Sequence, residues 1–138
     1  MKKALIDANV ILRYLTKDPP EMAEAALRIF ENAQKGKILL IVIPLIVAEV
    51  VWVLESFYDY PKTKIAEIMS QFLLCEGLIV EDLDLIFNAL TLYREKNLDF
   101  ADAFLAAIAL QRGPRDIYSF DKDFSRIPEL IIPEPGRK

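Results

Sequence analysis

The alternation of short apolar runs with longer helical patterns restricts the possible folds of this chain more than any other feature. Five runs favour strands: KALID (3–7), KILLIVI (37–43), LIV (78–80), DIYSF (116–120) and LII (130–132). Between them, apolar residues recur at helical spacing over 8–16, 22–36, 44–58, 61–75, 82–97 and 98–113. Strands that alternate with helices indicate βαβ units, because parallel neighbours need a crossover connection. We therefore predict an α/β protein, a three-layer αβα sandwich with a central parallel sheet of four to five strands.

The length of 138 residues and a hydrophobic content of 54% favour one globular domain over 1–138, with 133–138 as a frayed tail. The most apolar stretch, 38–54, is interrupted by Pro44 and Glu49, so we expect no membrane span. Residues 1–15 lack a signal-peptide cleavage pattern, and the single cysteine, Cys75, fits a reducing compartment. Together these features predict a cytoplasmic protein.

The absence of histidine limits the chemistry of the chain. It excludes His-based acid–base catalysis and both the Ser–His–Asp and Cys–His arrangements, and one cysteine without histidine cannot build a typical zinc site. Any metal site must therefore use oxygen ligands, which hard divalent cations prefer. The net charge of −4 argues against a generally basic nucleic-acid surface, although bound metal would offset part of it. Six cations could line a phosphate path or belong to ordinary solvated surface: Arg13, Lys17, Arg112, Arg115, Lys122 and Arg126.

Two acids directly follow strand-like runs. Asp7 ends KALID, and Asp121 comes after DIYSF, with Asp123 two residues later. Turn formation alone explains many such aspartates. However, sites in parallel sheets form beyond the carboxyl ends of the strands, and both Asp7 and Asp121 are expected there.

Two further acids interrupt apolar helical segments. Glu49 lies in PLIVAEVVWVL, where a buried charge would need a partner, unless it occupies a narrow wet edge or pairs with a distant arginine. Asp102 lies in DFADAFLAAIAL, three residues after Asp99. Asp99 could cap this helix, and a negative charge in the first turn favours the helix dipole. We expect Asp102 to be a metal ligand and Asp99 to be a cap or an outer helper.

The predicted fold would gather these four acids, Asp7, Glu49, Asp102 and Asp121, into one pocket. Crowded carboxylates repel, and a divalent cation would remove that penalty. Magnesium or manganese, as one or two ions, suits such oxygen ligands best. Asn9 and Ser119 are placed to orient Asp7 and Asp121 or to hold a water on the metal.

The chain resembles the PIN-domain ribonucleases, and among them the VapC-like toxins of type II toxin–antitoxin pairs, nearly end to end. The resemblance rests on four segments in order: LIDANVIL with Asp7, PLIVAEVVWVL with Glu49, DFADAFLAAIAL with Asp102 and SFDKDF with Asp121. Each motif is weak alone, and their order makes the set specific. The chain departs from the family at Ser119, where Thr is frequent, and in segment 56–64, which could alter the substrate groove.

The resemblance implies a magnesium- or manganese-dependent ribonuclease in which the metal polarises a phosphodiester and activates a water for in-line attack. The four acids would be both catalytic residues and metal ligands. It further implies an RNA substrate, a homodimer and a small antitoxin that covers the acidic pocket. The apolar helical segments 44–58 and 61–75 are candidate partner surfaces, although most of their residues could equally form the core.

Two other classes of protein stay open. A phosphotransfer or phosphatase domain also places Asp and magnesium at a strand end, but the dehalogenase-like type needs Asp-x-Asp and Asn9 stands in the last position. A receiver domain needs a late lysine that DIYSF lacks. A non-catalytic RNA- or protein-binding module on the same fold would be expected to lack some of the acids.

Overall fold

The computed structural model describes residues 1–133 and divides into two compact units, Met1–Leu83 and the part that begins at Asp84. Residues 134–138, most of the predicted frayed tail, lie outside the described residues. The assignment of the whole chain to a single domain stays a prediction.

The first unit contains a parallel three-stranded sheet and four helices. The strands are β1 (Lys3–Leu5), β2 (Leu39–Val42) and β3 (Leu78–Val80), and the helices are α1 (Ala8–Thr16), α2 (Pro20–Gln34), α3 (Pro44–Ser56) and α4 (Lys62–Phe72). The sheet order is β1-β2-β3, with Ala4 opposite Leu40 and Ile41 opposite Ile79. Each strand pair is therefore joined by a helical crossover, as parallel pairing requires.

Local signals set the bounds of these helices. Proline stands at the start of α2 and α3, where its missing N–H leaves no hydrogen bond unmade. Helix α1 is capped by Lys17, which has the left-handed conformation (φ 59°), and α2 stops before Gly36 (φ 78°). The side chains of Val42 and Leu54 are fully buried, and the rings of Tyr14 and Phe30 pack with centroids 4.3 Å apart.

The second unit is mainly helical. It comprises α5 (Leu83–Glu95), which starts at the unit boundary, α6 (Phe100–Gln111) and a short 3-10 helix (Lys122–Arg126). Helix α6 ends before Gly113, whose N–H donates to the carbonyls of Ala109 (3.1 Å) and Ile108 (3.2 Å).

The predicted strands at 116–120 and 130–132 are wrong as regular strands. They form a single parallel bridge between Asp116 and Ile131, with Ile117 N–H donating to Ile131 O (2.9 Å) and Ile131 N–H to Arg115 O (2.9 Å). Prolines stand close by on both sides, at 114 and 133, and they cannot donate to a ladder. After Ile117 the chain turns instead of continuing the pairing.

The α/β class with a parallel sheet is therefore confirmed, and the described residues contain three strands rather than the four to five that we expected. The six predicted helices are all present, with ends shifted by a few residues at most. Within residues 1–133, no helix combines the length and apolar character needed to span a membrane.

Candidate active site

The second unit pairs two of the four predicted acids. Asp102 lies in the first turn of α6, and its side chain is hydrogen-bonded to that of Asp121. Burial raises the pKa of Asp102, and the charges of Asp121, Asp99 and Asp123 raise it further, as does the hydrogen bond to Asp121. The neighbouring negative charges therefore favour the neutral form of Asp102 when no cation is bound.

The segment that presents Asp121 is held by its own side chains. Ser119 Oγ accepts the Asp121 N–H at 2.9 Å, and Asp121 Oδ1 accepts the Asp123 N–H at 2.9 Å. The second bond caps the 3-10 helix. Asp121 therefore has a defined backbone, and its carboxylate both caps the helix and contacts Asp102.

Arg126 anchors this segment to the chain just before α6. Its Nη2 lies 2.9 Å from Asp123 Oδ1, and its Nη1 donates to the carbonyls of Asn97 (2.6 Å) and Lys96 (3.2 Å). From the sequence, Arg126 was one of the cations that could contact the phosphates of a nucleic acid. In the structure, the ion pair and both hydrogen bonds of its guanidinium are made within the chain. The spacing of three residues between Asp123 and Arg126 in a helical segment is the sequence signal that could have predicted their ion pair.

Asp99 occupies the position before α6, but its side chain makes no capping hydrogen bond. Of the two roles expected for Asp99, cap or outer helper, the residue holds the N-cap position without a side-chain bond, and the helper role stays a prediction. Its carboxylate instead contributes to the negative field at Asp102, since its charge raises the pKa of that residue.

In the first unit, Asp7 follows β1 directly, as the sequence predicts. It is the N-cap of α1, and its Oδ1 accepts the Ala8 N–H at 2.7 Å, while the residue as a whole stays exposed. Asn9 is also exposed, and it borders a cavity of about 180 Å³ with Val10 and Arg13. Asp7 is thus oriented by its helix and open to solvent.

Glu49 is an exposed residue of α3. Its neighbours on the same helical face are Leu45, 73% exposed, and Trp52, 67% exposed. Glu49 is therefore not a buried charge in need of a partner. Its position agrees with the alternative that it occupies a solvent-exposed edge of the helix. The spacing of residues 45, 49 and 52 places them on one helical face. Because Leu45 and Trp52 are apolar, the sequence did not indicate that this face is exposed.

The donor chemistry of these residues suits a hard cation, because all of the candidate ligands are oxygen atoms. The like charges that raise the pKa of Asp102 mark repulsion that a cation could relieve. Within residues 1–133, however, no three or more Asp, Glu or Cys side chains are already arranged to hold a metal ion. The Asp102–Asp121 pair is a contact between two of the candidate ligands.

Comparisons with known proteins identify the family. The PIN domain family model matches residues 4–130. A VapC ribonuclease from Aquifex aeolicus (strain VF5) is 29% identical over 124 residues, which covers 89% of this chain and 90% of the relative. A crystal structure of VapBC2 from Rickettsia felis, bound to a DNA fragment from its promoter, aligns at 18% identity with a TM-score of 0.36, covering 96% of this chain and 98% of the other. Since the family model spans nearly the whole sequence, the chain belongs to the PIN domain family.

Proposed function

We propose that this chain is a metal-dependent ribonuclease that hydrolyses RNA phosphodiester bonds. The observation that carries the proposal is the contact between Asp102 and Asp121, two family-motif acids far apart in sequence. Membership of the PIN domain family and the likeness to a protein named VapC ribonuclease give further support. The ligands that we propose are Asp7, Glu49, Asp102 and Asp121, holding one or two magnesium or manganese ions.

A bound divalent cation would supply Lewis-acid activation of the phosphodiester and lower the pKa of the attacking water. The residues of the chain would position that cation. Ser119 and the 3-10 helix hold Asp121 in place, and the α1 N-terminus orients Asp7. Asp99 and Asp123 add negative charge around Asp102, which strengthens attraction for a cation. Asn9 is proposed to orient Asp7 or a water.

We further propose that the chain is the toxin of a toxin–antitoxin pair, acting in the cytoplasm as a homodimer that a small antitoxin inhibits. The name of the Aquifex relative supports this assignment. Induced expression tests this assignment: the wild-type protein should stop the growth of the cells that express it, and the Asp7→Asn variant should not. Continued growth at matched protein levels, combined with RNA cleavage in vitro, would favour an RNA-processing nuclease.

The direct test is cleavage of RNA with magnesium, with manganese and with chelator. Asp7→Asn, Glu49→Gln, Asp102→Asn and Asp121→Asn should each lower the rate at least about 100-fold, because each removes a charged ligand. Chelator should abolish cleavage, and added manganese should restore it. Undiminished cleavage in chelator would contradict the metal mechanism.

Two matched controls separate ligand loss from general charge effects. Asp84→Asn removes an acid from the first turn of α5, as Asp102→Asn does from α6. Glu67→Gln removes an exposed glutamate from α4, as Glu49→Gln does from α3. Both controls should cleave at the wild-type rate. A chain that retains RNA without cutting it under any metal condition would be a non-catalytic binding module.

A further inference from the structure

The segment before Asp121 exposes two aromatic side chains to solvent. Tyr118 is 75% exposed and Phe120 is 90% exposed, the highest value for a large apolar side chain in the described part of the chain. They alternate with the buried Ile117 and the half-buried Ser119. Exposure of an aromatic ring to water is unfavourable, and packing in the core does not account for these two side chains. A contact with a ligand or partner would explain why they are exposed.

Phe120 does not belong to a loose loop. On one side, Ile117 N–H donates to Ile131 O at 2.9 Å, and on the other, Asp121 N–H donates to Ser119 Oγ at 2.9 Å. Arg126 then ties the following 3-10 helix to residues 96 and 97. A ring on a fixed backbone loses little conformational freedom on binding, which favours its use as a contact.

The position of Phe120 points to a nucleic-acid ligand. Phe120 directly precedes Asp121, so the Cα atoms of the two residues lie roughly 3.8 Å apart. Asp121 in turn contacts Asp102 in the proposed active site. Two exposed cations flank the aromatic residues, Arg115 before them and Lys122 after Asp121. Cations beside exposed rings are the combination that binds the phosphates and bases of single strands.

We propose that Phe120 stacks on a base of single-stranded RNA next to the bond to be cut, with Arg115 and Lys122 contacting the adjoining phosphates. This inference rests on the proposed function and adds to it a residue that binds a base, because the face of an unpaired base is available for stacking. A contact with a second protein would also cover the ring, and the experiment below distinguishes that case.

The test measures the binding of RNA to an Asp7→Asn background in magnesium, so that hydrolysis does not interfere. The probes are a fluorescein-labelled uridine oligomer of about 12 nucleotides and an abasic ribose-phosphate oligomer of the same length and charge. The variants are Phe120→Ala, Phe120→Leu, which keeps apolar bulk without a ring, and Phe120→Tyr, which keeps the ring. Leu74→Ala, at a 68% exposed position in the first unit, is the control for lost apolar surface.

Stacking predicts that Phe120→Ala and Phe120→Leu weaken binding of the uridine oligomer about 5-fold or more, and that Phe120→Tyr and Leu74→Ala change it less than about 2-fold. The abasic oligomer should bind all of the variants alike. Equal losses on both oligomers, or full rescue by Leu, would overturn the proposal. So would a change in molar mass on Phe120→Ala, measured by light scattering, with unchanged RNA affinity.

The outcome is separable from that of the proposed function. Base-dependent loss of binding without any cleavage by the wild type would support the stacking role and reject the ribonuclease. Cleavage by the wild type with undiminished binding by Phe120→Ala would support the ribonuclease and reject the stacking role.

Discussion

At Asp102, the charge that would attract a cation opposes folding when no cation is bound. Burial and three neighbouring aspartates raise the pKa of this carboxyl group above its ordinary value. The folded state therefore holds a proton more tightly than the unfolded state does. The resulting contribution to stability is present at low pH and is lost as the pH rises through the raised pKa.

We expect Asp102→Asn to increase the free energy of unfolding of the metal-free protein at pH 7, because the amide removes the repulsion and can still bond Asp121. Urea unfolding in chelator would show a higher midpoint and a weaker decline of stability as the pH rises through the raised pKa of Asp102. Asp84→Asn is the control, since it loses only a favourable helix-dipole interaction of about 0.3–1 kcal/mol. Equal destabilisation by both substitutions would contradict this account.

Glu49 shows the limit of reading burial from neighbouring residues. An acid within an apolar run suggested a desolvated charge, but Leu45, Glu49 and Trp52 share one exposed face of α3. The residue type and its motif were readable from the sequence. Its exposure depends on which side of α3 other elements cover, and periodicity cannot specify that when both sides are apolar.

Among the elements, the turn between α4 and β3 depends on one glycine. Gly77 has φ +88°, and a Cβ there would collide with the Ala33 carbonyl of α2 and lie 2.6 Å from Ala33 Cβ. Its own carbonyl accepts the Leu40 N–H of β2 at 2.9 Å, so the backbone cannot move away freely. Gly36 has a similar φ of +78°, but a Cβ there would meet no atom within 4 Å.

The two glycines therefore make a matched pair. Gly36→Ala should lower the free energy of unfolding by about 1–2 kcal/mol, the cost of left-handed backbone alone. Gly77→Ala should lower it by about 2–5 kcal/mol, because steric overlap with α2 is added. Urea denaturation of both variants measures the difference, and equal losses would mean that the contact with Ala33 relaxes at no cost.

Helices and early strands were predictable because their signals are local. Proline starts, glycine stops and apolar periodicity all lie within the segments that they define. The prediction of the two late strands was wrong for a different reason. The segments around Ile117 and Ile131 do pair, but nearby prolines and the turn at Ser119 limit that pairing to one bridge. Strand propensity alone does not report how far a ladder extends.

For the whole molecule, the proposal predicts that folding and metal binding are linked. A manganese concentration ten times the dissociation constant should stabilise the native state by about 1.4 kcal/mol, which corresponds to a rise in Tm of about 3–7 °C. Asp102→Asn and Asp121→Asn should each remove most of this rise, and Asp84→Asn should keep it. Differential scanning calorimetry provides the measurement, and an unchanged Tm at millimolar manganese would argue against a metal centre.

The amino-acid sequence alone predicted the six helices and the first three strands, excluded histidine chemistry and contained the family motifs around Asp7, Glu49, Asp102 and Asp121. These properties depend on residue type and short-range spacing. The hydrogen bond between Asp102 and Asp121, the anchoring role of Arg126 and the exposure of Phe120 emerged only in three dimensions. They depend on contacts between residues distant in sequence, or on which surfaces stay uncovered, and folding alone establishes both.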